Sequence, residues 1–381
     1  MRVIVIGAGV LGASAAFHVA LAGAQAVLVD QAHDGRATAA GAGIVCPWLS
    51  EAADPEWHRI ARAGARYLPT LAGRLAGFDE HELGFRQVGA LSVSRSEEDL
   101  DRIERLVLAR RAGAPETGEV SRLSPRQAGL LFPPLHPELA AVHVSGGMRV
   151  DGRLLAAALC RATERQGGTL IRGTAKLLTD GTRVTGAWVG GERVEADAVI
   201  LAAGAWAPDL LAPLGLALAI EPQRGQIVHL RMEGVETRNW PVVLPPGSHY
   251  LLAFEGGRVV AGATRERGAG FDCRVTAVGQ AEVLNQALAV APGLGQATVV
   301  ETRIGFRPLG PDARPLLGAA AGMGGLVIGN GMGPFGLTVG PFAGRLLAQV
   351  ALGEPPDLPL AAYDPFRPRS GTSTFDADAI R

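Results

Sequence analysis

Gly7, Gly9 and Gly12 stand at the spacing G-x-G-x-x-G, and an acid, Asp30, follows about 20 residues later. Those types at that spacing serve one chemistry, the binding of a dinucleotide. Gly7 makes a tight turn, Gly9 lets the backbone approach a pyrophosphate, and Gly12 lets a helix pack closely on a strand. The carboxylate of Asp30 can accept hydrogen bonds from both ribose hydroxyls, and its charge repels a 2′-phosphate. Other chemistries lack their residues. Of 36 basic residues only Lys176 is a lysine, and it lies in the alternating surface-strand pattern of TAKLLTDGTRVTGAWV. Schiff-base catalysis needs a desolvated lysine and is therefore not expected. Cys46, Cys160 and Cys273 are far apart with no CxxC, which speaks against a disulfide scaffold or zinc cluster, and no metal is expected.

The elements that must position these residues read as follows. RVIVI (2–6) is a short buried strand, a small-residue helix runs to a stop at Gly23, and AVLV is a second strand ending in Asp30. The lack of formal charge between Arg2 and Asp30 imitates a signal peptide or membrane span, but the glycines assign it to a βαβ unit. The helix N-terminus then offers amides and a positive dipole to phosphates. The stretch Gly35–Trp48 (GRATAAGAGIVCPW) has no helical or strand period and suits a loop against which a large planar ring lies. Downstream, an amphipathic helix is capped by Asp151 and stopped by Gly167. The strand TLIRG, the hairpin TRVTGAWVGGERVEA and the buried strand of 197–206 (DAVILAAGAW) follow. A third piece, 324–353, reads strand, glycine turn, long apolar helix. Three separated segments sharing one nucleotide-binding layer imply a domain interrupted by insertions. At 381 residues, 48% hydrophobic and 19% charged, the chain suits two to three domain-sized units with a large core. A net charge of −1 and no basic stripe leave no footprint for nucleic acid.

On these residues the sequence resembles the FAD-dependent amine and amino-acid oxidoreductases of the D-amino-acid oxidase, glycine oxidase and sarcosine oxidase group. The resemblance is carried by GAGVLG with Asp30, by VILAAGAWAPDL followed by PQRGQIV, by GGRVVAGATRE, by IGFRPLGPDARPLLG and by GNGMGPFGLTVGP. These run in the family order over nearly the whole chain. The fold implied is α/β (α+β): an FAD-binding Rossmann-like domain of the glutathione-reductase type, interrupted by a substrate domain with a mixed, largely antiparallel sheet. The expected division is 1–88, 147–221 and 306–365 for the FAD domain, 89–146 and 222–305 for the substrate domain, and a frayed tail over 366–381.

The resemblance also implies a site. FAD contacts are expected from Gly7, Gly9, Val10, Leu11, Gly12, Asp30, Gln31, Arg36, Ala37, Thr38, Gly41, Ala42, Gly43 and Ile44 in the first segment. Ala175, Ala203, Gly204 and Trp206 come from the second. From the third come Arg307 and Gly333, Pro334, Phe335, Gly336, Leu337 and Thr338, where free amides at a helix start favour an anionic reduced ring. Arg307, in FRPLGPD, falls where the family places the arginine that grips the substrate carboxylate. On a strand Arg303 and Arg307 share a face, so both can point into one cavity. Tyr250, one of three tyrosines, falls near a family tyrosine that hydrogen-bonds the same carboxylate. His249 points the other way and reads as a surface histidine. Departures narrow the family type. The further arginine of glycine oxidases near Pro334 is missing, and Arg265 replaces an apolar residue. PLGPD carries no cysteine, which implies non-covalent FAD, and no lysine is at hand to promote reaction with oxygen.

The expected function is oxidation of the C–N bond of a small amino acid or N-alkyl amino acid (a D-amino acid, glycine or a sarcosine-like molecule) by hydride transfer to flavin N5. An imine results and hydrolyses, and oxygen or a quinone takes the electrons. Two alternatives stand beside it: an aromatic flavin monooxygenase, which NADPH would reduce, and a flavin-bearing subunit of a larger amine dehydrogenase complex. A cytoplasmic location follows from the absence of a cleavable leader, and a homo-oligomer is possible.

Overall fold

The computed structural model describes residues 1–368, and 369–381, most of the expected tail, lie outside the described residues. Two sheets organise the chain. The first has six strands in the order Leu316–Ala319, Leu326–Asn330, Ala198–Leu201, Arg2–Ile6, Gln25–Asp30, Thr169–Arg172. All neighbours are parallel except the outermost pair, Leu316–Ala319 with Leu326–Asn330. The strand Arg2–Ile6 is buried from Val3 to Ile6, because both faces are covered: Val3 and Val5 pack with the helices, and Ile4 and Ile6 pack against a three-stranded antiparallel sheet, Ala175–Thr179, Val184–Val189 and Glu192–Glu195.

Helix Val10–Leu21 follows the first strand, and its close neighbour is the last helix, Gly336–Leu352. Glycine permits the approach, because a Cβ on Gly344 would stand 2.6 Å from the Leu11 carbonyl oxygen. The run Gly333–Leu352 is long and apolar enough to cross a membrane, yet two thirds of its most apolar window is buried inside the protein. Asp151 caps helix Gly152–Arg165 through the amides of Arg153 and Leu154.

The second sheet has eight strands in the order Thr298–Leu309, Glu221–Arg231, Arg258–Gly262, Tyr250–Ala253, Val242–Leu244, Ala90–Ser94, Ala140–Val144, Val120–Leu123. It is antiparallel except where Val242–Leu244 meets Ala90–Ser94. The boundaries expected at 221/222 and 305/306 each cut a strand of this sheet, Glu221–Arg231 and Thr298–Leu309. We propose a division that keeps both strands whole in the substrate domain.

The Gly/Ala-rich stretch after Asp30 joins the two sheets. It forms a 3₁₀ turn at Ala37–Ala40, a two-residue strand at Ile44–Val45 and the start of a second 3₁₀ turn at Pro47–Leu49. The Phe306 amide donates to the Gly35 carbonyl at 2.8 Å, which zips this loop onto the strand that carries Arg307. Gly35 has φ +72°, and a Cβ there would collide with the Phe306 ring at 2.2 Å.

Candidate active site

One cavity runs between the two sheets, with about 370 Å³ of internal space, the scale of a ligand site. At one end is the glycine turn. Gly7 has φ +104°, and a Cβ would stand 2.4 Å from the Ala202 carbonyl oxygen. Gly12 does not line the cavity; a Cβ there would meet the Gly7 carbonyl at 1.9 Å, so this glycine packs helix on turn.

Asp30 is tied to the turn in front of it. Its carboxylate accepts from the Ala8 amide at 2.6 Å and the Ala32 amide at 2.5 Å, with the Arg36 guanidinium at 3.4 Å. Thr38 accepts from the Val10 amide at 3.0 Å, so this first helical N–H is already capped and is not one of the amides left for phosphate. Gln31, Ala37, Gly41, Ala42, Gly43, Ile44, Ala175, Ala203, Gly204 and Trp206 line the same cavity, as do Gly9, Val10, Leu11 and Arg36.

From the third segment Gly333, Pro334, Gly336 and Leu337 reach the cavity, and two neighbours do not. Phe335 packs edge-on against Trp57 at 4.6 Å. Thr338 is buried, and its hydroxyl donates to the Ile44 carbonyl at 3.3 Å, so it is spent on the fold. The last helix has no side-chain cap at its N-terminus, and a Cβ on Gly336 would meet nothing within 4 Å. Backbone amides therefore open on the cavity there.

At the substrate-sheet end lie Arg307 and Tyr250. Arg307 Nη1 donates to the Thr264 carbonyl at 3.0 Å and to Gln223 Oε1 at 3.3 Å. Its guanidinium lies across Gly225, where a Cβ would come within 2.5 Å. The guanidinium charge also acts on the Tyr250 hydroxyl, which lines the same cavity. Burial pushes the Tyr250 phenol above its ordinary value, against the pull of Arg307 and Arg265, so it is a neutral O–H donor at pH 7.

Arg303, whose strand face allowed it into the same cavity, does not line it; it pairs with Glu301 through Nε at 2.7 Å on the same strand face. His249, expected at the surface, is half-buried beside Glu282 at 3.4 Å, and burial lowers its pKa. Its ring does face away from the main cavity.

Several lining residues escaped the sequence reading. His33 stacks on Trp206 at 4.4 Å and 3°, and Phe271 stacks on the same indole at 4.9 Å. Asn330 donates to the Gly204 carbonyl at 2.8 Å and joins two strand ends. Ser248 and Arg265 line the substrate end. Only Arg265 had a signal, its departure from the family pattern.

A glycine turn that a Cβ would fill, an acid at the next strand end and an uncapped helix start suit FAD. The family model of FAD dependent oxidoreductases (DAO) matches residues 2–350. The chain belongs to this family. It is 47% identical to the uncharacterized oxidoreductase YurR of Bacillus subtilis (strain 168), over 95% of this chain and 98% of that protein. It is 32% identical to a glycine oxidase of Pseudomonas aeruginosa, over 96% and 98%. Among solved structures, iminodiacetate oxidase (IdaA) from Chelativorans sp. BNC1 is 53% identical with a TM-score of 0.93, covering 96% of this chain and 99% of that one. The family member is thus an FAD-dependent oxidoreductase, in a group that includes amino-acid oxidases and dehydrogenases.

Proposed function

We propose that this FAD enzyme oxidises the C–N bond of a small amino acid or N-alkyl amino acid whose carboxylate is held by Arg307 and Tyr250. The observation that carries this reading is the Arg307–Tyr250 pair in the cavity that also holds the glycine turn and the open start of the last helix. A guanidinium fork and a neutral phenol are matched to one carboxylate. The names of glycine oxidase and iminodiacetate oxidase, relatives along nearly their full length, support it.

The chemistry that FAD supplies when bound is acceptance of a hydride from the substrate carbon, leaving an imine that water hydrolyses. Gly7, Gly9, Asp30 and Arg36 would hold the dinucleotide portion. The amides of Gly336 and Leu337 would stand at the ring end, where the helix dipole favours negative charge. Arg307 orients the substrate, and Tyr250 stays protonated and donates to it. Oxygen or a quinone completes the cycle, and a cytoplasmic location belongs to this reading.

Anaerobic bleaching of the bound flavin by a panel of D- and L-amino acids, glycine, sarcosine, proline and iminodiacetate tests it. Bleaching by one or more is expected. Bleaching by NADPH alone would favour a monooxygenase, and no response to any member would favour a subunit that needs a partner.

A further inference from the structure

We infer that Gln223 is a positioning residue: its side-chain oxygen holds the Arg307 guanidinium in the direction that receives a substrate carboxylate, and the fold itself does not need it. This rests on the amino-acid reading above and deepens it.

Gln223 lies opposite Arg307 on the neighbouring strand, so the two side chains share a face. One guanidinium nitrogen, Nη1, donates to both the Thr264 carbonyl at 3.0 Å and Gln223 Oε1 at 3.3 Å. The two acceptors differ in kind. The Thr264 carbonyl belongs to a backbone segment that is itself fastened: the Thr264 amide donates to the Gln226 carbonyl at 3.2 Å, and the Thr264 hydroxyl accepts from the Gln226 amide at 2.9 Å and donates to Glu266 at 2.7 Å. Gln223 Oε1 sits on a side chain and can be removed without touching the backbone. Two acceptors on one nitrogen restrict a long, rotamer-rich side chain before any ligand arrives, which takes an ordering cost out of binding.

The other end of the same amide shows that packing does not favour Gln223. The residue is 1% exposed, and its Nε2 is buried and donates to no described group. Turning the amide over brings no relief, because Nε2 would then face Nη1, donor against donor. A buried donor without an acceptor destabilises a fold, and an apolar side chain of similar length avoids that loss. Gln223 does not line the cavity, so a ligand there supplies no acceptor for Nε2, and Oε1 acts on substrate only through Arg307. A polar residue that packing disfavours and that bonds the arginine of the proposed site is explained by that arginine.

Methoxyacetate, a small carboxylate with no oxidisable amine, and methoxyacetamide, its neutral counterpart, separate binding from turnover. Each is titrated into the FAD-loaded protein while the flavin absorbance is followed. Wild type is expected to prefer the carboxylate. Gln223→Met should weaken methoxyacetate binding about fivefold, the effect of one ordinary hydrogen bond. The same variant should leave methoxyacetamide binding and FAD content unchanged and should melt at or above the wild-type temperature. A glutamine that serves only the fold would instead lower Tm or move both ligands alike; either result, or a variant that fails to fold, overturns the inference. So does wild-type methoxyacetate affinity in Gln223→Met when Arg307→Ala loses the preference for the carboxylate. The broader reading fails separately, if wild type shows no such preference or Arg307→Ala keeps it, and the inference then falls with it.

Discussion

Arg307 and Tyr250 meet across two strands that lie between them, each passing over a glycine. Arg307 starts on Thr298–Leu309 and crosses Gly225; Tyr250 starts three strands away and crosses Gly262, where a Cβ would stand 2.5 Å from its hydroxyl. Side chains at either glycine would fill the space in which the guanidinium and the phenol converge.

Removing either partner should affect substrate and leave the cofactor alone. A hydrogen bond to a charged group contributes about 1.5–3 kcal/mol, and in the proposed reading Arg307 would make two to the substrate carboxylate, so Arg307→Ala should slow flavin reduction roughly a hundredfold or more. Tyr250→Phe should cost about tenfold. Stopped-flow reduction with an amino acid and its decarboxylated amine checks this. Equal losses for both substrates would place Arg307 in the service of fold or flavin.

Gly225→Ala offers a sharper test. Its methyl would displace the flexible guanidinium and not the backbone, so folding and FAD content should persist while KM rises at least tenfold. Unchanged KM would mean Arg307 can work from another position.

Asp30→Ala removes more than a ribose contact, since the same carboxylate holds the amides of Ala8 and Ala32. Retained flavin, read as the ratio of visible to ultraviolet absorbance, should fall well below one per chain. FAD released from wild type by acid should appear in the supernatant, as a non-covalent cofactor does; colour in the pellet would mean a covalent link.

Acid should weaken the fold through buried histidines. His18 and His229 are both lowered by burial from 6.5 to about 4. A folded-state pKa below the unfolded value gives stability that is complete above pH 6.5 and lost as pH falls toward 4. Neither ring nitrogen of His229 hydrogen-bonds a described protein group, so His229→Phe should be nearly neutral at pH 7 and flatten the fall in Tm between pH 6.5 and 4. An identical slope in the variant would contradict this.

Sequence alone determined what local geometry controls. The turn Gly7–Gly12, the acid ending the second strand, the Asp151 cap and the helix stops depend on φ/ψ limits and short-range hydrogen bonds, and these read directly from residue type and spacing. Strand alternation likewise put Arg303 and Arg307 on one face. Which of them lines the cavity was decided by the neighbouring strand and the residues beside each. Arg307 lies opposite Gln223, which accepts its hydrogen bond, next to the open surface of Gly225; Arg303 lies opposite Ile227 and turns to Glu301. Thr338 was lost to the Ile44 carbonyl for the same reason. A polar side chain takes whatever partner the packing of distant segments brings near, and a period along one strand carries no information about that partner.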